Sequence, residues 1–152
     1  MSNAQSALGF IIYRIPFIAG LDAYCYCYFP QNSFLTRDSF STEENMEEGK
    51  RYKEIHVGLA EKFVESASQI FFVVTGTLTS FKDVSVTDVI ARQPLFIFNE
   101  NWLSNLGQKE NPFITPAIIL GRLVKINNVW TPESIGKACY ISNIDSTIRS
   151  LL

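Results

Sequence analysis

The chain is short of the residues that carry most enzymatic chemistry. Its 152 residues include one histidine, His56, and three cysteines, Cys25, Cys27 and Cys139. An odd cysteine count without framework spacing argues against a disulfide-stapled secreted scaffold, and no Asn-x-Ser/Thr sequon occurs. Both absences point to a reducing, cytoplasmic compartment. No apolar run reaches the ~18 residues of a membrane-spanning helix, so no membrane association is expected. The apolar patch at residues 7–12 has no basic residue before it and Arg14 soon after it, which is not the pattern of a signal peptide. Basic residues are not in surplus. With 13 Lys and Arg against 15 Asp and Glu, the net charge of −2 leaves no basic face for nucleic acid.

Catalytic signatures are equally sparse. Thr75-Gly76-Thr77 follows an apolar run but lacks the glycine spacing and the lysine with which a phosphate loop cradles its ligand. There is no serine elbow, no paired catalytic carboxylate motif and no zinc-protease signature. Repeats, low-complexity tracts and domain linkers are absent as well.

What is present is a rich apolar complement. Hydrophobic residues make up 47% of the chain and 12 of them are phenylalanines, enough for a core without disulfides. A single domain over 1–152 is expected, with residues 1–6 set aside as a disordered start or an expression scar.

The stretch 41–81 organises the reading. Ser41-Thr42-Glu43-Glu44 has capping-box spacing, and Glu43, Glu44, Glu47 and Glu48 would sit at the positive end of a helix dipole. Tyr52, Ile55, Leu59, Phe63 and Ala67 follow a 3.6-residue period, widened by Ala60 and Val64, with Glu54, Glu61 and Glu65 opposite. This spacing predicts a long helix over about 41–67, although Gly49 and Gly58 weaken it. Gln69-Ile70-Phe71-Phe72-Val73-Val74-Thr75 then reads as a strand covered on both faces, central in its sheet.

Residues 8–15 and 23–29 read as an antiparallel pair of strands. In the second, Tyr24, Tyr26 and Tyr28 share one face while Cys25 and Cys27 share the other. Residues 34–40 are of open state, 82–93 fit a strand or a short helix, and 95–98 fit a strand. Asn99 can cap a turn that Gly107 stops. Thr115-Pro116 and Thr131-Pro132 each resemble a helix start, predicting helices to about 126 and 140. The competing reading makes 118–126 a strand, with Asn127-Asn128 turning back into Val129-Trp130. Asn143 or Ser142 caps a final helix. The sum is an α+β domain: a mixed or antiparallel sheet of four to five strands, the long helix packed on it, and a helical C-terminal third.

Three groups of residues are candidates for function. His56 falls within the apolar arc of the helix, as a general base or ligand, or simply as a core-edge histidine with one hydrogen bond. Cys25, Cys27 and Cys139 could join His56 in a zinc site. Cys-x-Cys on a straight strand, however, holds its sulfurs about 6–7 Å apart, and buried cysteine is ordinarily a small apolar residue. The row Tyr24, Tyr26, Tyr28 offers dry ring faces and wet hydroxyls, which suits a ligand or protein surface unless the protein's own helices cover it. The expectation is a non-catalytic binding or interaction module for a protein partner or small apolar ligand, without cofactor. Pairing of a free edge over residues 8–29 could make it a homo-oligomer. The alternative is a small enzyme whose site lies between the His56 helix and the Cys25/Cys27 strand.

Overall fold

The computed structural model of the chain describes residues 9–37, 40–76, 81, 83–99, 101–102 and 115–152. Period-two alternation governs most of them. Strands β1 (Phe10–Pro16), β2 (Asp22–Phe29), β3 (Phe34–Arg37), β4 (Ser41–Glu47), β5 (Lys50–Gly58), β6 (Gln69–Thr75), β7 (Ser85–Asp88), β8 (Gln93–Ile97), β9 (Pro116–Ile126) and β10 (Val129–Tyr140) precede one helix, α1 (Ile144–Leu151). They form two five-stranded antiparallel sheets, ordered β4-β5-β1-β7-β8 and β10-β9-β6-β2-β3. The α+β expectation is therefore corrected to a two-sheet β architecture with one short C-terminal helix.

The long helix over 41–67 does not form. Its residues make the β4–β5 hairpin, followed by a short 3-10 turn at Lys62–Val64. Glu48 (φ 52°) and Gly49 (φ 79°) make a two-residue turn with both central residues left-handed, whose twist matches that of paired strands. The four glutamates read as a helix start instead line the edge strand β4 and its turn. The helices expected from Thr115-Pro116 and Thr131-Pro132 are likewise strands β9 and β10, joined through Asn127 (φ 51°) and Asn128 (φ 65°). Both prolines sit where a strand tolerates a missing N–H, Pro116 at a strand start and Pro132 on an edge. The final helix is present, with Asn143 at its N-cap. Asn99 receives the Asn101 and Trp102 amides in a turn, and the remainder of that expected segment, including Gly107, lies outside the described residues.

The two sheets face each other across one apolar core. From the first come Ile11, Tyr13, Ile15, Ile55, Val57, Val86 and Phe96; from the second, Ala23, Cys25, Cys27, Ile70, Phe72, Val74, Ile118, Leu120 and Leu123. Tyr13 crosses the gap. Its hydroxyl donates to the Val73 carbonyl oxygen at 2.6 Å, which satisfies a phenol that burial drives well above its ordinary pKa. At the β9 bulge Gly121 turns inward against the Phe96 ring, where only a hydrogen atom fits.

β1 and β2 do not pair as a hairpin. β1 lies between β5 and β7, while β2 pairs with β6 over Asp22–Tyr28 and with β3 over Tyr26–Phe29, so the two belong to different sheets instead of forming the edge hairpin expected. The true edges are blunted. β4 is acidic, β3 has four residues, and β8 and β10 carry Pro94 and Pro132.

Candidate functional site

The outer faces of the two sheets differ in kind. That of the second sheet is apolar: Phe71, Val73, Ala117, Ile119 and Cys139 pack with Ile144 and Ile148 of α1. Tyr24, Tyr26 and Tyr28 stand on this same face, partly buried beside the helix, with the Arg37 guanidinium 4.6 Å from the Tyr24 ring centre. Burial raises the Tyr26 phenol pKa. Arg122 ties the helix down, donating to the Leu151 carbonyl and to Gln69 at 2.7 Å each and pairing with Glu133 at 2.8 Å.

The outer face of the first sheet carries ions, and no described α-helix lies on it. Alternation brings Arg14 of β1, Glu54 and His56 of β5, and Glu43, Asn45 and Glu47 of β4 onto one surface, because Arg14 is the cross-strand partner of Glu54 and Glu54 that of Glu43. Glu54 is only 2% exposed there. Arg14 closes over it, with Nε 2.8 Å and Nη2 2.6 Å from Glu54 Oε2, and reaches Glu47 through Nη1 at 2.5 Å. His56 Nε2 lies 3.3 Å from Glu54 Oε1, and Asn45 Nδ2 donates to the same oxygen at 3.5 Å. Burial alone would raise the Glu54 pKa. The hydrogen bonds from Arg14 and His56 outweigh it and hold the carboxyl below its ordinary value. The guanidinium also lies 4.9 Å from the Tyr52 ring centre.

Beside this network runs a groove of about 390 Å³, lined by Ile12, Arg14, Glu47, Ser85, Thr87, Val89 and Arg92. Its floor is the paired β1 and β7, where Arg14 faces Ser85 and Ile12 faces Thr87. The β7–β8 turn closes its lower end. There Asp88 accepts the Ile90 and Ala91 amides at 3.0 and 3.4 Å, fixing the backbone that carries Arg92. Among the described residues Arg92 has no ion-pair partner.

The sequence candidates fall on separate surfaces. His56 points away from the core, its ring edge-on to Phe10 at 5.6 Å between centres, and it does not line the groove. Cys25 and Cys27 face the inter-sheet core, so no site forms between them and His56. Cys139 lies beneath α1 on the far side of its sheet, its thiol pKa raised by burial. The three thiols and His56 therefore do not converge, and among the described residues no three or more His, Cys, Asp or Glu side chains are placed to hold a metal. Arg14, Glu54, Ser85, Thr87 and Arg92 were not singled out from the sequence as site residues, and Glu47 was read as part of a helix start. Their signal is the i, i+2 spacing of polar residues on strands that bury alternate apolar ones: His56 after Glu54 and Thr87 after Ser85.

Among the described residues no helix is long and apolar enough to cross a membrane. Comparison of the chain with protein-family models, curated proteins and solved structures returns no match.

Proposed function

We propose that this protein is a non-catalytic binding domain that takes its ligand on the outer face of the first sheet, in the groove between Arg14 and Arg92. The observation that carries this reading is the part-buried Arg14–Glu54 pair beside an open groove. Desolvating a carboxylate on a sheet face costs stability that an apolar pair would not. What the pair supplies is a fixed guanidinium. A guanidinium has five N–H donors, and Arg14 uses three against Glu54 and Glu47, so two are left for a ligand. Apolar Ile12 and Val89 and the hydroxyls of Ser85 and Thr87 complete a small mixed site of a size common for ligand pockets. Catalysis is not part of the reading, because His56, the residue best suited to acid–base work, is committed to Glu54 outside the groove.

Amide chemical-shift mapping with a library of small polar molecules and short peptides tests it. Shifts centred on Ile12, Ser85, Thr87, Val89 and Arg92 support the proposal. Shifts centred on Tyr24, Tyr26 and Tyr28 would instead favour the tyrosine face, and would overturn it.

A further inference from the structure

Resting on that reading, we infer that the groove takes a zwitterionic ligand: a short peptide with free termini, its amine at the Glu47 end and its carboxylate at the Arg92 end. The charge distribution is the reason. At the upper end Arg14 stands between two carboxylates, Glu54 and Glu47, and Glu43 adds a third on the same face. Lys50, the cross-strand partner of Glu47, brings a second cation, so the upper end still carries one negative charge in excess. Lys50 makes no ion pair with any described residue, and Glu47 is 61% exposed, so its carboxylate is open to an incoming ammonium group. The lower end has the opposite sign. Arg92 stands there, while Asp88, the acid nearest to it in the sequence, is 3% exposed, is the cross-strand partner of core-facing Ile11, and is occupied by the turn amides.

A simple anion would meet Glu47 and a simple cation would meet Arg92; a ligand bearing both charges meets neither conflict. The spacing fits as well. Val89 donates to the Phe10 carbonyl, so the groove spans β1 from the level of Phe10 to that of Arg14. Four strand residues span about 13 Å, and an extended tripeptide about 10 Å. Thr87 presents its hydroxyl midway, opposite Ile12, and Ser85 presents one at the level of Arg14, where peptide groups would lie. Arg92 also holds φ 54°, a backbone region that glycine or asparagine occupies at lower cost.

Isothermal titration of trialanine, N-acetyl-trialanine and trialanine amide into wild type, Glu47→Gln and Arg92→Gln tests the inference. Trialanine is expected to bind wild type ~10-fold more tightly than either capped form, as loss of one charge-assisted contact implies. In Arg92→Gln the free acid and the amide should become equal; in Glu47→Gln the free amine and the acetylated form should. Arg92→Gly should raise the melting temperature while weakening trialanine, which separates lost binding from lost folding. If the capped peptides bind wild type as tightly as trialanine, or no peptide binds, the zwitterion inference is overturned. The groove reading then stands or falls separately, on whether other molecules shift the groove amides.

Discussion

Adding a single methyl group at Gly121 should destabilise the protein, and the sign of that effect discriminates between folds. In a helix beginning at Thr115-Pro116, Gly121 would lie on the wet side, and alanine there would stabilise by about 1 kcal/mol. In β9 the added Cβ would come within 3.0 Å of three carbon atoms of the Phe96 ring, 2.7 Å from Cζ. The ring cannot simply retreat. Phe96 is 2% exposed and its centre lies 5.7 Å from that of Phe72, inside the inter-sheet core. Overpacking of this kind costs about 1–3 kcal/mol. For a chain of this length each kcal/mol lowers the melting temperature by about 2–4 °C. Urea unfolding followed by tryptophan fluorescence would show a lower midpoint at unchanged slope for Gly121→Ala. Phe96→Leu in the same background should restore part of the loss, so the two changes should not add. A Gly121→Ala protein as stable as wild type, or more so, would refute the packing described.

Other consequences follow from single contacts. Tyr13→Phe removes the hydroxyl that bridges the sheets and should cost about 1 kcal/mol in urea unfolding, with little change in near-ultraviolet dichroism. Glu54 has a folded pKa below its unfolded value, so its contribution to stability is complete above the unfolded carboxyl pKa of about 4.3 and is lost as pH falls through the lower folded value. Denaturation midpoints measured from pH 6 down to pH 2 should therefore fall less steeply for Glu54→Gln than for wild type. At neutral pH that variant should lose less than the ~3–5 kcal/mol of a fully buried pair, because Arg14 keeps Glu47 and is 27% exposed. Asn128→Gly, at the second left-handed position of the β9–β10 turn, should raise the melting temperature by a few degrees.

Some of this was legible in the sequence. The run 69–75 marks the central strand of the second sheet, Tyr-Cys alternation places β2, and Asn143 announces α1, since each depends on a short local pattern. The β9–β10 hairpin was legible only as the competitor of two helices, and the β4–β5 hairpin was not legible, for a physical reason. Ile55 and Leu59 are four residues apart, a spacing that serves one face of a helix and one face of a strand equally well. Val57 separates the two cases: it has no place in the helical arc yet completes the strand series Ile55, Val57, Leu59 in the core. Glu48-Gly49 and Asn127-Asn128 carry the turn signals that go with it. The same ambiguity hid the candidate site. A helical period sets Glu54 opposite His56, whereas a period of two places them side by side, 3.3 Å apart. Arg92 and Glu47 are 45 positions apart in the chain, and only the sheet order β4-β5-β1-β7-β8 brings them to one groove.

The most direct test of the account sets its two outer faces against each other. Thr87→Phe fills the groove from a solvent-facing position, and Tyr26→Ala opens the surface beside α1. With both variants shown to be folded by their dichroism, trialanine affinity is measured for each by titration. Thr87→Phe should abolish binding, and Tyr26→Ala should leave it within about twofold of wild type. Binding that survives Thr87→Phe and is lost with Tyr26→Ala would contradict it.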